Sequence, residues 1–156
     1  MKLQLSFIFI ALIFISCNTS VQVKENKTTG IPIEGTWKLL TGTLIENGDT
    51  TVTDYTKDKE FIKIINDSHF AFLLHDLSKG KNADSVFSAG GGRYSLNDSS
   101  YIEHLEYCND RQWEGNDFNF TITINDDTLT QKGIEKIDSI GVNRMNIEKY
   151  VRVKKL

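Results

Sequence analysis

Five residues in the middle of the chain could carry chemistry: His69, Arg93, Tyr94, Glu103 and Tyr107. They supply an imidazole, a guanidinium, a carboxylate and two phenols. A carboxylate and an imidazole enclosed together shift each other's pKa and can pass a proton between them, the requirement for acid/base work. Glu103 and His69 are the residues for that role. The same groups could equally satisfy one another and ordered water as a polar cluster. They could also converge on the head of a bound apolar molecule. No Ser/His/Asp or Cys/His set has a recognisable nucleophile context. The residues therefore read as a candidate ligand-binding set, with no catalytic residue assigned.

Other chemistries have less support. His104 and Cys108 would suit a metal on a helix, but on a strand positions i and i+4 lie roughly 13 Å apart, too far to share one ion. Gly90-Gly91-Gly92 could cradle a phosphate only before a helix N-terminus, and Arg93-Tyr94-Ser95-Leu96 continues as strand. The run reads instead as a bend or bulge. No metal and no cofactor are expected. A net charge of −3 over 156 residues offers no field for nucleic acid.

The elements that must position these groups read as strands. From Glu34 onward the pattern is alternation broken by turn residues, with no long capped helical period. Glu34–Leu44 opens the series, with Trp37, Leu39 and Thr41 on one face. Asn47-Gly48-Asp49 marks a turn, and residues 50–58 read as a loop or weak edge strand. Residues 60–65 and 69–75 form a hairpin across Asn66-Asp67. Strands follow at 86–96, 101–108, 118–124, 128–133 and 145–153. In residues 101–108, the set Tyr101, Glu103, Leu105 and Tyr107 is taken as inward-facing. Trp113, in the polar loop 109–116, either caps a mouth or folds onto it. Roughly eight antiparallel strands with short connections predict an all-β, up-and-down barrel, with a two-sheet sandwich as the runner-up. An eight-stranded barrel is either filled by side chains or holds one small ligand.

Residues 1–16 have a short positive start and an apolar run of about a dozen residues, as a signal peptide does, too short to span a membrane. The run ends Phe14-Ile15-Ser16-Cys17, which resembles a bacterial lipobox and marks Cys17 for lipidation. Residues 17–33 then read as a flexible tether and 34–156 as the barrel domain. Cys108, the other cysteine, reads as a free thiol. The implied address is the bacterial cell envelope, by a lipid anchor at the outer membrane or periplasm, or else secretion.

Gly35-Thr36-Trp37 resembles the G-x-W signature of lipocalins. In that superfamily a basic residue of the last strand packs over the Trp and closes the barrel, and Arg152 stands at that place. Lys63-Ile64-Ile65-Asn66-Asp67-Ser68-His69-Phe70, Ala89-Gly90-Gly91-Gly92-Arg93-Tyr94 and Tyr101-Ile102-Glu103-His104-Leu105-Glu106-Tyr107 are similar to the lipocalin-like domains of Bacteroidota-type envelope lipoproteins. The resemblance covers about Glu34 to Val153. It implies a calycin-type barrel, with Gly35, Trp37 and Arg152 as structural closure, and no general ligand or catalytic role. The other lipocalin motifs, and a helix after the last strands, have no counterpart. The expected function is non-enzymatic binding of a small apolar or amphipathic ligand. The alternatives are a structural lipoprotein with a filled barrel and, less favoured, an enzyme using Glu103 and His69.

Overall fold

The structure, a computed structural model, describes residues 30–154. Cys17, the signal peptide over 1–16 and most of the 17–33 tether lie outside the described residues. The described chain is all-β: β1 (Gly35–Glu46), β2 (Asp49–Asp54), β3 (Lys59–Ile65), β4 (His69–Asp76), β5 (Phe87–Asn97), β6 (Ser100–Leu105), β7 (Tyr107–Cys108), β8 (Asn116–Asn125), β9 (Thr128–Ile137) and β10 (Val142–Arg152). Single 3-10 turns at Arg111–Trp113 and Asp138–Ile140 are the helical elements among these residues. None of the described helices is long and apolar enough to cross a membrane.

Ten segments make eight barrel strands. β2 and β3 both pair with β1 and act as one strand broken at 55–58; β6 and β7 both pair with β5 and are broken at Glu106. Every neighbour is antiparallel and sequential, and β1 pairing with β10 closes the sheet into a barrel. The sandwich alternative is therefore excluded, and closure removes the sheet edges.

Turn chemistry fixes the register. Asn47-Gly48, Asp98-Ser99 and Asp126-Asp127 are two-residue turns whose first residue has positive φ, a conformation that Asn and Asp tolerate. At the β3–β4 turn, Asn66 Oδ1 accepts from the backbone N–H of Ser68 at 2.9 Å and of His69 at 2.7 Å.

Two boundaries differ from expectation, and one open alternative is decided: of residues 50–58, read as a loop or weak edge strand, 50–54 belong to a strand, Asp49–Asp54, because β1 is long enough to pair with both β2 and β3. β9 runs through Gly133 to Ile137; Gly133 lies mid-strand because a Cβ there would come within 2.2 Å of the Asn119 carbonyl. The tether does not extend to residue 33. Ile33 is 2 % exposed, and its carbonyl accepts the Trp37 indole N–H at 2.7 Å, so the segment before β1 belongs to the fold.

Two bulges shift the alternation. In β1 the pairing with β10 slips between Leu39 and Thr41, so the inward set is Trp37 and Leu39, then Gly42 and Leu44, and Thr41 leaves the face it was expected to share. In the β6–β7 strand, Tyr94 pairs with Glu103 but Gly91 pairs with Tyr107, one residue out of step. The extra residue sits against Gly92, where a Cβ would lie 1.9 Å from the His104 carbonyl. The glycine run lets β5 bend under this bulge.

Candidate functional site: a polar-floored cavity in the barrel

The two ends of the barrel differ. At the end where β1 begins, Trp37, Tyr101, Leu39, Ile122, Leu129 and Tyr150 are fully buried and form a plug. Arg152 lies over the Trp37 ring, 4.0 Å from guanidinium carbon to ring centroid. Its Nη1 donates to the Glu34 carbonyl at 2.6 Å and its Nη2 to the Pro32 carbonyl at 2.7 Å. Gly35 has φ +138°, and a Cβ there would stand 2.7 Å from Arg152 Nη1. A glycine is needed both for the backbone angle and for the room.

Toward the other end the interior opens into a cavity of ≈ 360 Å³. One wall is aromatic and apolar. Phe61 and Phe72 stack at 5.8 Å, and Phe118, Phe120 and Leu105 continue the wall. Trp113 sits at the mouth, 5.8 Å from Phe118, with Arg144 5.2 Å from its ring centroid. The opposite wall is polar, because β9 and β10 place Gln131, Glu135, Arg144, Asn146 and Glu148 inward at alternate positions.

A buried cluster forms the floor. Lys63, 2 % exposed, projects inward from β3 in step with Phe61 and Ile65. Its Nζ donates to Glu103 Oε1 at 2.6 Å and to Gln131 Oε1 at 3.0 Å, and lies 3.8 Å from Glu148 Oε2. The Tyr150 hydroxyl donates to Glu148 Oε2 at 2.7 Å. Farther up, Glu135 is fully engaged: it accepts from Arg144 Nε and from Asn146 Nδ2, both at 2.7 Å.

Charge balance follows from this geometry. Burial alone would discharge Lys63, but Glu103 and then Glu148 outweigh it, so the ammonium is held above its ordinary pKa and stays charged. Burial raises the Glu103 carboxyl despite the pull of Lys63, and the Glu148 charge adds to the rise. One cation serves two carboxylates, so Glu103 has only part of a counter-ion. The fully buried Tyr101 hydroxyl lies beside Glu103 without completing a hydrogen bond to it or to any other described group. Burial, and after it the Glu103 charge, push this phenol well above the usual range.

Of the five candidate ligand-binding residues, Glu103 alone lines the cavity. Tyr94 points inward but at the plugged end, where its ring meets Tyr101 at 5.4 Å and its hydroxyl donates to the Asn66 carbonyl. His69, Arg93 and Tyr107 lie on the outer surface, correcting their expected inward placement. In β4 it is Phe70, Phe72 and Leu74 that turn inward, which leaves His69 outside, directly across from Arg93. Arg93 forms a surface pair with Glu106 at 2.6 Å. Tyr107 is 67 % exposed because the bulge at Glu106 reverses the phase and turns Cys108 to the cavity instead. Glu103 and His69 thus lie on opposite faces of the sheet, and the proposed acid/base pair does not exist.

Lys63, Gln131, Glu135, Arg144, Asn146 and Glu148 were missed. Their signal was parity: Lys63 shares phase with Phe61 and Ile65, Gln131 with Leu129, and Glu148 with Tyr150. Among the described residues no group of three or more His, Cys, Asp or Glu is placed to hold a metal ion. No protein-family model and no curated protein matches the sequence.

Proposed function

We propose that this chain is a non-enzymatic binding module of the bacterial cell envelope, lipid-anchored through Cys17 and of the lipocalin-like kind. It takes one small apolar or amphipathic ligand inside the barrel. The observation that carries the reading is the ≈ 360 Å³ cavity, closed at the Trp37 end and combining an aromatic wall with a few convergent polar groups. That volume lies near the lower end of the range for small-molecule sites, about 300–1,000 Å³. The ligand is accordingly a single ring or a short chain. A structural role with a packed interior has less support, since such a barrel would leave no space of this size.

The export and anchoring part rests on the Met1–Ile15 leader and on Ser16-Cys17. Native mass spectrometry of the protein purified from its own envelope tests the whole reading. The expected result is a co-purifying small molecule released on denaturation, with Cys17→Ser moving the protein from the membrane to the soluble fraction. A reproducibly empty barrel would overturn the binding role. Unchanged membrane retention of Cys17→Ser would overturn the anchor.

A further inference from the structure

We propose that the cavity selects a protonated amine: a ligand with a short apolar body and an ammonium head bonded to the carboxylate oxygens of Glu103 and Glu148 that Lys63 and Tyr150 do not take. This rests on the binding reading above and adds the chemistry of the head group.

The cations of the cavity are already engaged. Lys63 is held by Glu103, Gln131 and Glu148. Arg144 is held by Glu135 and covers the Trp113 ring. Each lining cation already faces a carboxylate, with which an anionic head would have to compete. The carboxylates, by contrast, are in excess: Glu103, Glu135 and Glu148 face Lys63 and Arg144. Asp110 is a further lining acid, away from the floor and toward Trp113.

That excess falls on the floor. The bonds of the cluster use Oε1 of Glu103 and Oε2 of Glu148, which leaves the second oxygen of each able to accept. A buried carboxylate with half a counter-ion either takes up a proton or waits for a cation. The Glu103 pKa is raised accordingly, by burial first and by the Glu148 charge, against the pull of Lys63. The Tyr101 hydroxyl, buried on the plug side of Glu103, completes no well-formed hydrogen bond and has that carboxylate as its neighbouring acceptor. An ammonium carries three donors and a full charge, and charge-assisted bonds to carboxylates are about twice as strong as neutral ones. The Phe61, Phe72 and Phe118 wall supplies the surface for the apolar body.

Three probes that share one chain separate the alternatives: octylamine, octanoate and octan-1-ol, titrated calorimetrically into the full-length protein at pH 7. Octylamine should bind at least tenfold more tightly than the other two. Glu103→Gln and Glu148→Gln should each abolish that preference, and circular dichroism would establish that either variant is folded; one folded variant suffices. Equal binding of all three probes would keep the binding reading and overturn the amine assignment. Tighter octanoate would overturn it in favour of Lys63 as the head partner, as would a preference for octylamine that survives both variants. Failure of all three to bind would overturn the binding reading and the amine assignment together.

Discussion

Both ends of this barrel set a cation against aromatic rings, and they do so to different effect. At the plugged end Arg152 covers Trp37, and its remaining donors go to the backbone carbonyls of Pro32 and Glu34. Those acceptors carry no net charge and cannot titrate, so the arrangement is fixed over the whole working pH range. In the cavity Lys63 lies 5.4 Å from the Tyr150 ring centroid and 5.8 Å from that of Phe70, but its donors go to side chains, two of them acids. That end keeps a charge it has not balanced. A site designed only to hold the fold together has no use for such an excess, whereas a binding floor does.

The largest expected contrast comes from the two tryptophans. Trp37 is fully buried in the plug, and Trp37→Ala should cost about 3–5 kcal/mol in urea unfolding, the usual range for a buried Trp. Trp113 is only partly buried at the mouth, and Trp113→Ala should cost about 1 kcal/mol, nearer the centre of ordinary point mutants. Equal losses would mean that the mouth is as much a part of the core as the plug.

That contrast was only half legible in the sequence. The plug could be read because Gly35, Trp37 and Arg152 act through residue type: a small residue, a large ring and a long planar cation. Their roles survive a slip of register. The cavity could not, because its lining depends on phase, and one residue of slip exchanges the inside for the outside. The bulges after Leu39 and at Glu106 each introduce such a slip, and the second put Tyr107 on the wrong side. Lys63 was hidden for a different reason. A lysine in a strand is normally solvated, and only a partner 40 residues away in sequence, Glu103, makes its burial tolerable. The eight strands themselves were plain, since turn residues and alternation are local signals.

Removing each cation in turn would sharpen the comparison. Lys63→Met leaves Glu103 and Glu148 buried without a counter-ion, and about 3–5 kcal/mol of stability should go, as when one partner of a buried pair is deleted. Arg152→Met loses the ring stack and two bonds to carbonyls at a partly exposed position, for about 1–2 kcal/mol. Urea denaturation of both variants measures the difference. If Arg152→Met proved the costlier, the closure and not the floor would be the electrostatic centre of the molecule.

The smallest effect is the most diagnostic, because its sign depends on which force governs Glu103. Burial and Glu148 raise its pKa above the ordinary 4.5; Lys63 opposes them. Where burial wins, the folded protein holds a proton that the unfolded chain has released. The associated stability is complete below about pH 4.5 and is lost as pH rises through the folded value. Glu103→Gln has no proton to lose there and can still accept from Lys63, which then faces the single carboxylate of Glu148. The acids held below their ordinary range, Asp54, Glu60, Asp76 and Glu114, act in the opposite sense at lower pH and are common to both proteins, so they cancel in the difference. Wild type and Glu103→Gln should therefore have nearly equal stability at pH 4, with the variant gaining on wild type as the pH is raised toward 7. A gap that moves the other way would mean that Lys63 satisfies Glu103 completely. The floor would then be a balanced ion pair like the Arg152 closure, with no charge held in reserve for a ligand.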